Sequence, residues 1–161
     1  MPKGHRTGGL LLAASLLSCQ SVGGNLLPGE TAIYECPSAS PVEESVFLIG
    51  DAGAPELPKD ETSAELVDPV LQSLHRDVLR EIEKIGPDRV TTVFLGDNVY
   101  PKGLVPPGEK GRRRGERVLE AQIRAAMPGQ AIFLAGNHDW EIEGPQGWEH
   151  VTAQREFLAN Q

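Results

Sequence analysis

Cysteine is nearly absent, with only Cys19 and Cys36 among 161 residues. Two thiols build neither a disulfide framework nor a thiolate zinc site, so both of those scaffold classes are excluded. Aromatic residues are scarce at 5%, whereas Gly (18) and Pro (13) are plentiful. That balance favours tight turns and irregular loops over a helical bundle. Basic charge is not in surplus either: the formal net charge is −8. An acidic surface repels phosphate backbones, so no nucleic-acid partner is expected. No apolar run is long enough to hold a stable transmembrane helix. A Gly-rich phosphate loop is also missing after the first predicted strand, which argues against nucleotide binding by a doubly wound fold. What is present suffices for one domain: the chain is 39% apolar, ordinary for a protein with a buried core.

The first nineteen residues have the pattern of an export signal. Lys3 and Arg6 give a basic start, Leu10 to Leu17 (LLLAASLL) an apolar run, and Leu16-Leu17-Ser18-Cys19 a cleavage-like end. A small residue directly before Cys19 resembles a bacterial lipobox, in which Cys19 is lipidated and becomes the mature amino terminus. The alternative is an ordinary cleaved signal in which Cys19 is incidental; an unlipidated Cys19 retained in the chain could instead pair with Cys36. Removing the segment takes Lys3 and Arg6 with it and moves the net charge from −8 to −10. Residues 20–44, rich in Gly, Pro, Ser and Asn, read as a tether, and residues 45–161 as the folded domain. The expected location is periplasmic or cell-envelope, with membrane contact only through the lipid.

Within the domain, Ser45 to Gly50 (SVFLIG) is a continuous apolar run that predicts a strand buried on both faces. From Asp68 to Ile85, Val70, Leu71, Leu74, Val78, Leu79, Ile82 and Ile85 recur at spacings of three and four, the mark of an amphipathic helix. Pro69 behind Asp68 starts it and Gly86-Pro87 stops it. Val90 to Gly96 repeats the buried-strand pattern, and a basic loop follows with Lys110, Arg112, Arg113, Arg114 and Arg117. This run is either a solvated loop grading into a helix or a lure for anionic substrate. A second helix is predicted over Glu116 to Met127, a third strand over Ala131 to Gly136, and a last helix over Thr152 to Asn160. Strands joined by helical crossovers imply an α/β fold with a parallel sheet.

Ligands in open sheets of this kind collect beyond the carboxyl ends of the strands. Each predicted strand ends in Gly followed by an oxygen donor: Asp51, Asp97 and Asn137. A single Gly-Asp often serves only to turn the chain, because Asp bonds its own backbone two residues on. Three in register are different. Two carboxylates, an amide and the nearby phenol of Tyr100 in one crevice repel or stay unsatisfied without a cation. Such hard oxygen donors suit Mn, Mg, ferric iron or Zn, with imidazoles usual for iron and zinc.

Gly50-Asp51-Ala52-Gly53, Gly96-Asp97-Asn98-Val99-Tyr100 and Gly136-Asn137-His138-Asp139 resemble the first three metal-binding blocks of calcineurin-like metallophosphoesterases. Gly53, where most members carry a metal-binding His, and Tyr100, three positions after the second aspartate, mark the purple acid phosphatase-like branch. The resemblance covers roughly Val46 to Trp140 and implies an α/β sandwich, incomplete here, that hydrolyses phosphate esters with two divalent or trivalent metal ions (Fe, Mn or Zn). It implies that Asp51 and Tyr100 bind the first metal, Asp97 bridges both, and Asn137 binds the second. His138 is then no ligand; it sits over the substrate phosphate, stabilising charge or protonating the leaving alcohol, work that an imidazole suits.

Members of that family supply three further histidines downstream, and nothing after Asn137 matches them. The chain is therefore expected to be the amino-terminal part of a longer phosphoesterase, with a half-built site. His150 and His75 are expected to be packing or surface residues. Trp140 and Trp148, flanking a Gly/Pro loop, either hold that loop down or wall the pocket. A cell-envelope binding protein that keeps the scaffold around one structural cation is the competing reading.

Overall fold

The computed structural model describes residues 42–140 and 144–161. The export signal, Cys19 with its lipidation, Cys36 and most of the tether lie outside the described residues. Three parallel strands run in the order β1 (Ser45–Ile49), β2 (Val90–Phe94), β3 (Gln130–Phe133). Helix α1 (Pro69–Ile85) and a short 3-10 turn (Pro87–Arg89) connect β1 to β2; α2 (Arg112–Ala126) connects β2 to β3; α3 (Gly147–Leu158) follows. The α/β class and the parallel sheet are as the sequence leads one to expect.

Helix α1 begins and ends where its local chemistry requires. Asp68 caps it, its carboxylate accepting from the Val70 and Leu71 N–H groups at 2.9 and 3.0 Å. Pro69 occupies the first helical position, where its missing N–H costs nothing. Gly86 ends it with a positive φ of 91°, a conformation open to glycine. Leu71, Leu74 and Val78 face inward, against Val90 and Phe94 of β2 and Ala121, Ala125 and Ala126 of α2. Each large apolar side chain buried in this way contributes about 1.5–3 kcal/mol. Phe94 and Phe133 stack across β2 and β3 with ring centroids 4.6 Å apart. Together these contacts clamp the carboxyl ends of the strands side by side.

The strands are not buried on both faces. Val46, Leu48, Ile132 and Leu134 lie on the outer face and are 59, 62, 47 and 48% exposed. Both crossover helices contribute to the same inner core, so the other side of the sheet is uncovered among the described residues. On α1, Val70 (63% exposed) and Leu79 (38%) also fall outside the core stripe.

Helix α2 starts at Arg112, a full turn before the expected Glu116, so most of the basic run is helical rather than loop. Of the apolar residues Val118, Leu119, Ile123 and Ala126 at helical spacing, Val118, Leu119 and Ala126 are buried and Ile123 is half-buried. Helix α3 likewise starts at Gly147 rather than Thr152. His150 therefore lies within it, 1% exposed, with no hydrogen-bond partner for either ring nitrogen among the described residues. The half-buried His75 sets its Nδ1 3.3 Å from the Ala125 carbonyl and joins α1 to α2. Among the described residues no helix is long and apolar enough to cross a membrane.

Candidate metal centre

Strand pairing persists one residue past the regular ladder, with Leu95 N–H donating to the Ile49 carbonyl at 2.7 Å and Leu134 N–H to the Phe94 carbonyl at 2.9 Å. Beyond that the backbone breaks away sharply. Asp51 and Asp97 both take positive φ, 55° and 54°, a left-handed conformation uncommon for residues with a side chain. Such strain persists where the surroundings enforce it and clusters at functional sites. One cavity beyond the strand ends, about 370 Å³, is lined by Gly50, Asp51, Leu95, Gly96, Asp97, Gly136 and Asn137. The three donors named from the sequence thus share one crevice.

Tyr100 closes the group from the side. Its hydroxyl lies 2.7 Å from Asp51 Oδ1 and 3.1 Å from Asp97 Oδ2, a phenol bridging two carboxylates. The hydrogen bond to Asp51 first, then burial and the bond to Asp97, push the phenol well above the ordinary tyrosine range. A hydroxyl directed at bulk water, the usual fate of such a tyrosine, is not what the chain adopts.

Three glycines make the approach possible. A Cβ on Gly53 would lie 2.4 Å from the Asp97 carbonyl oxygen and 2.9 Å from Tyr100 Cδ2, so the tyrosine ring occupies the space a side chain at 53 would need. Gly96 and Gly136 touch backbone to backbone, and a Cβ on Gly136 would strike Asp97 Oδ1. The pairing of Gly53 with Tyr100 noted in the sequence is thus a steric one.

His138 sits next to this group. Its backbone N–H donates to Asp97 Oδ1 at 3.0 Å, and its ring packs edge-on against Tyr100 with centroids 4.4 Å apart. Nδ1 lies 2.7 Å from the Pro101 carbonyl oxygen, which can only accept, so Nδ1 carries the proton. Nε2 is left as the nitrogen that exchanges a proton.

Two features of the scaffold were not singled out from sequence. Asp139, 1% exposed, accepts from the backbone N–H groups of Asn98, Val99 and Gly136 at 2.9–3.2 Å and from the Asn98 amide at 3.0 Å. It ties the loop after β2 to the loop after β3. Burial pushes its carboxyl above the ordinary carboxylate range despite these donors. Gln122, fully buried on α2, donates to the Ala52 and Asn98 carbonyls at 2.8 Å each, joining the loops after β1 and β2. A polar residue inside the apolar stripe of α2 was the available signal for Gln122.

The arrangement offers four oxygen donors: two carboxylates, a phenol and an amide. Among the described residues no group of three or more His, Cys, Asp or Glu side chains is placed to hold a metal ion, and neither His75 nor His150 lines the crevice. Trp140 and Trp148 stack on each other at 5.9 Å, and neither lines it. No family model matches this chain, and neither a curated protein nor a solved structure matches it.

Proposed function

We propose that this chain carries the first half of a two-metal phosphoesterase site of the calcineurin-like, purple acid phosphatase-like kind, and that the protein hydrolyses phosphate esters. The observation that carries the reading is the convergence of Asp51, Asp97 and Asn137 on one cavity, with the Tyr100 hydroxyl bonded to both carboxylates. The donors fit a hard cation: carboxylates so placed repel one another, and the phenol proton lies between them. Asp51 and Tyr100 would hold one metal, Asn137 a second, and Asp97 both. When bound, such a pair lowers the pKa of a water and neutralises phosphate oxygens.

The remaining steps belong to the chain itself. Water oxygen bonds to phosphorus as the ester P–O bond breaks, and the leaving alcohol takes up a proton. His138 is the group for that proton, because its Nδ1 is committed to the Pro101 carbonyl and Nε2 is left to exchange. The apolar outer face of the sheet is where a sandwich would pack its second layer. On this reading the signal-like amino terminus would direct the hydrolase to the periplasm or cell envelope, with an anchor through Cys19 if that residue is lipidated.

The second reading, a non-catalytic binding protein with one structural cation, is favoured by the lack of an imidazole donor at the crevice among the described residues. Hydrolysis of a chromogenic phosphate ester, with Mn, Fe or Zn supplied, separates the two. The hydrolase reading expects turnover that disappears in Asp97→Asn. On the hydrolase reading the chain alone can be inactive for lack of the downstream histidines, so the binding protein is favoured by bound metal without turnover above that of Asp97→Asn in a form that supplies them.

A further inference from the structure

The loop after β1 opens with small residues, Gly50, Ala52, Gly53 and Ala54, which leave space beside it. Asp68 and Pro69 start α1 next to this loop, and Asp68 ties the two together, its Oδ2 accepting the Glu56 N–H at 3.0 Å. The loop and the first turn of α1 line a recess of about 240 Å³. Its walls are mostly apolar: Ile49, Ala52, Ala54 and Pro55 from β1 and its loop, Val70 and Leu71 from α1. Val70, 63% exposed and outside the core stripe of its helix, thus has a place in the fold.

The recess adjoins the candidate metal centre. Gly50 and Asp51 line both cavities, and a Cβ added at Gly50 would meet no heavy atom within 4 Å, so the space beside that residue is open.

Two carboxylates touch the recess and both are engaged. Asp68 accepts three backbone N–H groups, from Val70, Leu71 and Glu56, and Asp51 accepts the Tyr100 hydroxyl. The N–H groups at the start of α1, the usual draw for an anion, are therefore taken by the chain's own carboxylate. No Lys, Arg or His lines the recess to attract an anion, and no aromatic ring lines it to hold an organic cation. A second phosphoryl group or a carboxylate would meet two negative charges there without a counter-charge. An uncharged apolar group gains by leaving water. Size narrows the choice further: a sealed apolar cavity of about 150 Å³ takes benzene and drug-sized ligands need about 300–1,000 Å³. A recess of about 240 Å³ suits a single ring or a short alkyl chain.

We infer that this recess takes the organic group of the substrate, so that the preferred esters are those of a small, uncharged aryl or alkyl alcohol, with Val70 setting the preference. The recess stands on its own lining; its use by a phosphate ester rests on the phosphoesterase reading.

Two titrations on the full chain test these claims separately. The first follows phenol, the alcohol that a phenyl ester releases, by ligand line broadening in nuclear magnetic resonance with EDTA present. The unaltered protein is compared with Val70→Ser and with Val46→Ser, which loses the same side chain from a position of similar exposure, 59%, on the outer face of the sheet. Saturable binding weakened about fivefold in Val70→Ser alone is expected, the scale for losing buried methyl groups. Equal weakening in both variants, weakening in neither, or no saturable binding overturns the recess.

The second titration compares phenylphosphonate with methylphosphonate by calorimetry with Mn(II) present, since neither compound has an ester bond to lose. Phenylphosphonate binding about tenfold tighter, with that margin falling about fivefold in Val70→Ser and unchanged in Val46→Ser, supports the substrate class. Equal affinities, or a margin that Val70→Ser leaves intact, overturn it. Phenol binding that depends on Val70 with no binding of either phosphonate retains the recess and removes the phosphoesterase reading instead.

Discussion

Replacing Asp139 tests the scaffold on which the candidate site depends. Its carboxylate receives four N–H groups, three of them backbone donors from loops some forty positions apart in sequence. Asp139→Ala strands those donors, and each buried orphan costs about 1–3 kcal/mol. Part of this is returned, because the variant no longer buries a carboxyl group, the burial that holds Asp139 above the ordinary carboxylate range. The net expectation is a loss of about 3 kcal/mol; Asp139→Asn, which keeps one acceptor oxygen, loses about 2. In urea the alanine variant should reach its midpoint about 1–2 M earlier with unchanged slope, taking m near 2 kcal/mol per M. A pH series adds the sign. The folded chain holds the Asp139 proton more tightly than the unfolded one. Its contribution is fully present below about pH 4, the unfolded value, and is lost as pH rises through the raised folded value. Asp139→Asn should lack that decline. An alanine variant within about 0.5 kcal/mol of the unaltered protein would refute the bridging role.

Other perturbations probe separate links. Gly53→Ala places a methyl against the Asp97 carbonyl and the Tyr100 ring and should cost about 1–3 kcal/mol in urea titrations while weakening metal binding. Asp68→Ala removes the cap of α1 and should cost about 1 kcal/mol without touching metal affinity. If a metal takes Tyr100 as a ligand, as proposed, it must displace the Tyr100 proton, held by Asp51 and Asp97, so apparent affinity should rise about tenfold per pH unit from this group. Calorimetry in buffers of different ionisation enthalpy should detect the released proton, and Tyr100→Phe should abolish that release.

Much of the layout was legible because local chemistry and tertiary structure agree. Asp68, Pro69 and Gly86 bound α1 on both sides in the sequence as in the fold. The Gly-terminated apolar runs located all three strands and placed Asp51, Asp97 and Asn137 at one end of the sheet. Helix starts without a side-chain cap were not legible. Gly111 precedes α2 and Gln146 precedes α3, and neither makes a side-chain capping bond, so both helices begin earlier than the apolar pattern suggests. The exposure of Val46 and Leu48 was hidden for another reason: an apolar run reads the same whether helices cover one face of a sheet or two. Asp139 was visible as a residue but not as a bridge, since its partners come from another strand end.

The most direct measurement is a manganese(II) titration followed by the electron paramagnetic resonance of the free ion, on the unaltered protein, Asp97→Asn and Asp51→Asn. If the strand ends form a cation site, binding is saturable and each substitution weakens it at least about tenfold, the lower end for disturbing a ligand shell. Equal binding by all three forms would contradict a metal centre at Asp51 and Asp97.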